Sequence, residues 1–515
     1  MTEISAPEVT TNIIGANQRV ANSAHKTLVI GQKVAAGSQD AGELVENIQN
    51  DNTWDNLFGP NSQIAGAIRD YRKINDVSSL DAICLDDDGG GVNAAGSIAF
   101  TGPATEDGTM EVVIGSERNF TFEIIISETD SADDIGQALE DEVNANLNCP
   151  VTATNASGTV TLECDNAGTV GNGIGLKVSG LVAGVAFTLT AMAGGAGDPT
   201  LTDVFDPAGD ERYQTVIWPY ADTTELRAWL DDRFNVDDDV LDGIGINSQT
   251  DTLANLLSLG GTLNSQSLIT VGDASVDDDD FKGPAQLEIP YSKAAQTAAV
   301  RSLRLTVDAN IADIVDSSNG ALDSFGGPAI ASLPYHNTPM SRLPIIDVNK
   351  GFTKSQVKQL RDAGISVIGN NSERNTSILG SMVTTYKTDN AGNPDISFTF
   401  ANYVDTSSNC REFFTNNMKK RFSQSRLTNG DLVRGRNMAN RESIATFLDG
   451  LYKILSGPNY VLLQKGEEAL QFFKDNRTVT LDLSQGKVTI TMKVPIVTQL
   501  RVIIATMQIA FSTTG

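Results

Sequence analysis

The stretch Val216–Phe234, VIWPYADTTELRAWLDDRF, sets an apolar triplet ahead of a segment with helical character, and the pair then repeats. Val216-Ile217-Trp218 predicts a strand and Thr223–Phe234 a helix. Gly243–Ile246 predicts the next strand, Thr250–Leu259 the next helix, and Leu268–Val271 a third strand. Alternation of this kind implies an α/β layer with partly parallel strands. Residues 200 to about 345 read as that layer, and Ala285–Val307 continues it as a helix broken near Pro290.

Towards the N-terminus the pattern changes. Asp86-Asp87-Asp88-Gly89-Gly90-Gly91 and Gly194-Gly195-Ala196-Gly197-Asp198-Pro199 bracket a Gly-, Thr-, Ser- and Val-rich segment. Strand-like runs fall at 97–101, 109–115, 119–126, 151–155, 159–164 and 185–191. One helix interrupts them, opened by the capping box Ser131-x-x-Asp134. Residues 89–199 are therefore expected to be an inserted β-rich module. Before it, Leu28-Val29-Ile30 predicts the first ordered strand, Ala41–Leu57 a helix, Asn61 the cap of another, and Leu80–Leu85 a buried strand. Residues 1–24 carry turn formers and little periodicity, and read as an extended arm.

Towards the C-terminus, Thr353–Ala363 reads as a capped helix leading into the strand Ser366–Ile368. Ile378–Tyr386 and Ile396–Phe400 read as strands joined at Asn390–Asn393. Helices are expected over Thr406–Arg426, 441–456 and 465–475. The end, Gly486–Phe511, is GKVTITMKVPIVTQLRVIIATMQIAF. Val488, Ile490, Met492 and Val494 alternate with Lys487, Thr489, Thr491 and Lys493, the period of a half-buried strand. A hairpin with Thr478–Leu483 about Gln485-Gly486 follows, and Pro495 ends the strand or confines it to an edge. The apolar segment beyond it needs a pairing partner, in this chain or in another molecule.

A length of 515 residues suggests three or more domains, and 40% hydrophobic with 20% charged residues is the balance of a soluble globular protein. No run of eighteen apolar residues occurs, and MTEISAPEVTTNIIG lacks a basic and an apolar region. Neither a membrane span nor a signal peptide is expected. Cys84, Cys149, Cys164 and Cys410 have no metal-ligand spacing, and they read as reduced packing residues in preference to a Cys149–Cys164 bridge.

The net charge of −28 is unevenly spread. Residues 351–515 hold 20 Lys+Arg against 13 Asp+Glu, while residues 1–350 hold 17 against 52. The acidic part argues against nucleic acid as a partner. Within 411–441, Arg411, Lys419, Lys420, Arg421, Arg426, Arg434, Arg436 and Arg441 oppose only Glu412 and Asp431. That segment is either a solvated basic face or a surface for an acidic partner.

Enzyme chemistry finds little support. His25 and His336 are the only histidines, and no GxSxG or Walker motif occurs. Gly171-Asn172-Gly173-Ile174-Gly175 has no helix following it and reads as a turn. Asp86–Asp88 and Asp277–Asp280 lack the ligand pattern of a calcium loop and read as solvated turns. No catalytic residue, cofactor or metal site is assigned. An α/β enzyme built on the 200–345 layer would lack a nucleophile, a metal set and a phosphate loop.

The segments SAPEVTTNIIGANQ with TLVIGQ, AGTVGNGIGLKV with VAFTLTAMAGGAGDP, SLPYHNTPMSRLPIIDVNKGFT, and NRTVTLDLSQGKVTITMKVPIVTQLRVIIATMQIAF resemble, in order and spacing, the contractile tail sheath proteins of Mu-like myophages. The resemblance covers nearly the whole chain. It implies an α+β, multidomain structural subunit. Residues 25–88 plus 346–498 would form a discontinuous inner α/β domain, 200–345 a middle α/β domain, and 89–199 the protruding domain. The arms 1–24 and 499–515 would exchange strands between subunits, through Ile4, Val9, Ile13, Leu500, Val502, Ile504, Met507, Ile509 and Phe511. Lys419, Lys420, Arg421, Arg426, Arg434 and Arg436 would face the tail tube. The implied partners are further copies in six-fold rings, the tube protein, and baseplate and tail terminator proteins. The implied setting is the virion tail, assembled in the host cytoplasm. The alternative is another virion structural or adhesive protein, such as a tail tube or a surface module.

Overall fold

The computed structural model describes residues 25–234, 240–306, 335, 338–347, 349–371, 373–457 and 462–498. The first unit contains β1 (Lys26–Gln32), β2 (Leu44–Val45), α1 (Thr53–Phe58), α2 (Gln63–Arg72) and β3 (Ser79–Leu85). Strands β1 and β3 pair in parallel, Leu28 opposite Asp81. The helix expected over Ala41–Leu57 is reduced to α1. Asn47 and Asn52 take left-handed backbone, at φ 56° and 60°, and a right-handed helix cannot run through them. The cap of α2 is Ser62, whose hydroxyl accepts from Ala65 N. Asn61 instead donates to Asp165 Oδ2 at 2.8 Å.

The inserted segment holds β4 (Asn93–Thr101), β5 (Gly108–Ile114), β6 (Thr121–Ile126), α3 (Ala132–Ala145), β7 (Val151–Ala156), β8 (Thr159–Ala167), β9 (Leu176–Ser179) and β10 (Ala186–Ala193). Both halves of the Ser131–Asp134 capping box are formed. Strands β10, β4, β8 and β7 make an antiparallel sheet in that order, and α3 packs on it. The strand β9, LKVS, is too short to register as a periodic run.

The alternating layer consists of β11 (Thr215–Ile217), α4 (Thr224–Phe234), β12 (Ile244–Asp251), α5 (Leu253–Thr262), β13 (Leu268–Asp277), β14 (Phe281–Pro284) and α6 (Pro290–Thr306). Pro290 opens α6 rather than breaking it, because the first turn has no N–H to lose. After it come α7 (Lys354–Asp362), β15 (Ile365–Asn370) and β16 (Thr376–Ile378). The strands expected over Ile378–Tyr386 and Ile396–Phe400 do not form: β16 ends at Ile378, Gly380 turns at φ 76°, and the two segments meet by one bridge, Val383 to Phe400.

One sheet runs through all of these units. Its order is β2-β3-β1-β11-β12-β13-β14-β9-β5-β6, and β15 pairs with β13 and β16. Strands β1, β3, β11, β12, β13 and β15 are parallel. Covered on both faces, they read as unbroken apolar runs such as Leu28-Val29-Ile30, all with no exposure. Strand β13 is long enough to pair with β12 and β15 and then, at Ser275–Asp277, with β14, which carries the ladder into β9 of the insert. The sheet thus crosses the boundaries expected near 88, 200 and 345. Sequence composition marks insertions along the chain, but hydrogen bonding joins what composition divides.

The remainder is α8 (Ala401–Phe422), β17 (Arg426–Leu427), β18 (Met438–Ala439), α9 (Arg441–Leu455), α10 (Glu467–Asp475), β19 (Arg477–Asp482) and β20 (Lys487–Met492). It has its own core of Cys410, Phe413, Phe414, Ile444, Leu448, Tyr452, Phe473 and Val479. Ala401 and Val404 at the start of α8 belong to the main core, so this helix serves two cores at once. Buried charge holds it in place. Arg301 pairs with Asp405, each side chain 3% exposed, and Asp405 also accepts from the Tyr335 hydroxyl at 2.8 Å. Among the described residues, no helix is long and apolar enough to cross a membrane.

Candidate functional site

A parallel α/β layer offers a ligand crevice where strand order reverses, outside the strand ends. Here that point lies beyond β1 and β11, beside the N-terminus of α2. The chain fills it. Gln63 N, in the first turn of α2, donates to Asn166 Oδ1 of the insert at 2.8 Å. Gln32 N donates to the Gln63 side chain at 2.8 Å. Asp87 accepts from Gln32 Nε2 at 2.6 Å, Asn166 Nδ2 at 3.1 Å and Ala167 N at 3.0 Å. The acidic turn read as solvated is therefore partly a latch that docks the insert.

The other chemical candidates are also committed. Asp86 pairs with Lys33 at 3.1 Å, Asp277 with Lys282 at 2.5 Å, and Asp278 with Lys350. No cluster of three metal-ligating side chains occurs among the described residues. Thr169–Gly173 is a 3₁₀ turn. His25 is buried against Thr215, and burial, with Arg301 and Arg212 nearby, holds its pKa well below the ordinary value. His336 lies outside the described residues. The four cysteines are free and buried. Burial pushes Cys149, Cys164 and Cys410 up to about 12 and Cys84 to about 11, so none is an activated thiolate.

The C-terminal hairpin forms as its alternation predicts. β19 and β20 pair from Arg477↔Met492 to Asp482↔Lys487, and Gly486 turns at φ 63°. Val488, Ile490 and Met492 lie on the side facing the C-terminal core, yet remain only half-buried. The hairpin is a separate two-stranded sheet and does not join the large one, so its outer edges carry no further ladder among the described residues. β20 ends at Met492, ahead of Pro495, as the missing N–H of the ring predicts. Beyond it the chain meets the 462–464 segment instead: the Pro495 carbonyl accepts from Gln464 N at 2.9 Å, Ile496 bridges Leu463, and Val497 N donates to Leu462 O at 2.9 Å. Ile4, Val9, Ile13, Leu500, Val502, Ile504, Met507, Ile509 and Phe511 lie outside the described residues.

The basic segment divides in two. Arg411 turns inward to Asp242 at 2.9 Å and to Phe234 O, and Glu412 meets Arg212 at 2.8 Å. Lys419, Lys420 and Arg421 are exposed in the last turn of α8, where the negative end of the helix dipole favours cations. Arg426 starts β17, and the β17–β18 ladder closes a loop that carries Arg434 and Arg436 into solvent. The structure thus gathers the six predicted cations at one end of α8. Charge counting missed the apolar surface among them, where Leu432 is 44% exposed and Val433 56%.

No family model matches the chain. Over 208 residues it is 33% identical to the Mu-like prophage FluMu tail sheath protein of Haemophilus influenzae, a match spanning 39% of this chain and 42% of that protein. Solved structures similar in overall course include a sheath tail protein from Listeria innocua, at 11% identity and TM-score 0.46, covering 93% of each chain. Another, from Desulfitobacterium hafniense, has 10% identity and TM-score 0.43, covering 96% of this chain and 99% of that one. The helical sheath of the anti-feeding prophage in its contracted state has 13% identity and TM-score 0.45, covering 95% and 94%. Across the matched 208 residues the chain is a sequence relative of a Mu-like prophage tail sheath protein, in agreement with the resemblance carried by its segments.

Proposed function

We propose that this chain is the structural subunit of a contractile tail sheath, polymerising into stacked six-fold rings around a tail tube in the virion. The observation that carries the reading is the 33% identity to a Mu-like tail sheath protein over 208 residues. The separate β19–β20 hairpin supports it physically. A two-stranded sheet whose outer edges carry no further ladder among the described residues, with a half-covered apolar face, gains from added strands. The segments 1–24 and 499–515 of other copies supply them, with apolar residues alternating at Leu500, Val502 and Ile504 and again, in the opposite phase, at Met507, Ile509 and Phe511. Each added backbone hydrogen bond contributes roughly 1 kcal/mol net, and apolar side chains fill alternate pockets.

Such links persist while the bodies they join rotate, so contraction is a concerted change of packing between subunits. The exposed cations at the end of α8 face the tube, and the acidic outer surface keeps the array soluble. Baseplate and terminator proteins bound the array at its ends, and assembly takes place in the host cytoplasm. Deleting residues 499–515 tests the strand-exchange reading. The expected product is a folded subunit that no longer polymerises; polymers of ordinary length would overturn it.

A further inference from the structure

A groove of about 660 Å³ runs along one side of α9, between that helix, the end of α8 and the 428–437 loop. Its α9 wall is Ser443, Thr446, Phe447, Gly450, Leu451 and Ile454, spaced three and four residues apart as one helical face requires. Phe422 and Leu432 line the opposite side. The rings of Phe422 and Phe447 meet edge to face at 5.4 Å. A Cβ at Gly450 would meet nothing within 4 Å, so the wall is open near its centre. Leu432 and Ile454 are 44% and 48% exposed. The charged lining, Arg421 against Asp431 and Glu442, nearly cancels. The groove therefore selects an occupant for its apolar side chains and not for its charge.

The place where the described chain ends points to that occupant. Val497 N donates to Leu462 O at 2.9 Å, and Leu462 N donates to the carbonyl of Leu455, the last residue of α9, at 3.0 Å. The chain at Val497 therefore leaves beside the end of α9 where Ile454 lines the groove. The seventeen residues after Thr498, QLRVIIATMQIAFSTTG, carry one charged side chain, Arg501. Leu500, Val502, Ile503, Ile504, Met507 and Ile509 are apolar. Ser443 to Ile454 covers about 16 Å of helix, which about five residues of extended chain can cross.

We infer that in the free subunit the groove is occupied by the chain's own segment 499–515, folded back along α9. Its apolar side chains cover Phe447, Leu451 and Ile454, and the entropic cost of closing so short a loop is small because the segment starts beside the groove. Docking also withholds the segment from other copies, a consequence that rests on the strand-exchange reading above. Affinity for a neighbour then falls in proportion to the undocked fraction.

Engineered disulfides in the dilute full-length protein test the docking. Gly450→Cys is combined in turn with Val502→Cys, Ile504→Cys or Met507→Cys; the four native cysteines are buried and do not compete. Mild oxidation is expected to close a link within one chain in at least one pair, read as loss of two free thiols without a dimer. Links only between chains would assign the groove to a second copy, and no link in any pair would leave it unfilled; either result overturns the proposal. Gly450→Trp fills the groove from a position with open space, and Gly450→Ala, a better helix former, controls for the fold. Trypsin is expected to cut after Arg501 roughly tenfold faster in the Trp variant than in the Ala variant, because cleavage follows the undocked fraction. Equal rates also overturn the proposal. Polymerisation of the 499–515 deletion judges strand exchange by itself, so each reading can fail while the other stands.

Discussion

Arg212 donates from Nη1 to Oε2 of Glu412 at 2.8 Å, with both side chains 10% exposed, and so fixes the middle of α8 to the loop that leads into β11. Arg212 also reaches Asp242 at 3.2 Å and Ser408 Oγ at 2.7 Å. Glu412→Ala removes one arm of this network and leaves the guanidinium partly paired. The expected loss is about 1.5–3 kcal/mol of stability, the range for a hydrogen bond to a charged group. Denaturant unfolding measures it, and a midpoint equal to that of the parent would show that α8 is held by packing alone.

Glu288 makes the fold sensitive to pH. It is buried between α2, the β5–β6 turn and α6, and accepts from Ser116 Oγ at 3.1 Å. Burial, and then the charge of Asp70, push its pKa up to about 8 against an ordinary 4.5. The folded protein therefore holds a proton that the unfolded chain releases. This contribution is fully present below about 4.5 and is lost as pH rises through about 8, at a slope of up to roughly 1.4 kcal/mol per pH unit. Glu288→Gln, neutral at every pH, flattens that part of the stability profile. Unfolding curves from pH 5 to 9 check it, and parallel profiles for parent and variant would contradict it.

Asp87 is the joint between the body and the insert. Asp87→Ala leaves Gln32 Nε2 and Asn166 Nδ2 without their shared acceptor. A loss of about 1.5–3 kcal/mol is expected, with faster amide exchange along β8 next to the latch. Exchange confined to residues far from β8 would contradict a docking role.

Where a feature depends on neighbours in the chain, the sequence states it well. The capping boxes at Ser131 and Thr353, the turn at Gly486 and the alternation of Lys487–Met492 all form as their residues predict. Features that depend on distant partners are a different matter. Nothing local in Leu176–Ser179 reveals that it pairs with β5 and β14 and so stitches the insert into the main sheet. Nor does a helix count reveal that Asn47 and Asn52 turn left-handed.

The candidate surface divides the same way. Six cations were legible as a charge cluster near one helix end, whereas the inward turn of Arg411 was not, because Asp242 lies far away in sequence. A groove lined by Phe422, Phe447 and Gly450 exists only once α8 and α9 pack, and nothing local in the chain marks it. The strand-exchange residues came from the resemblance to tail sheath proteins, and they lie outside the described residues.

The central claim is self-assembly into a sheath, and negative-stain electron microscopy of the purified full-length protein tests it most directly. The account predicts hollow helical tubes or stacked six-fold rings that grow with concentration. A protein that stays monomeric at high concentration, with no rings in any field, would contradict it.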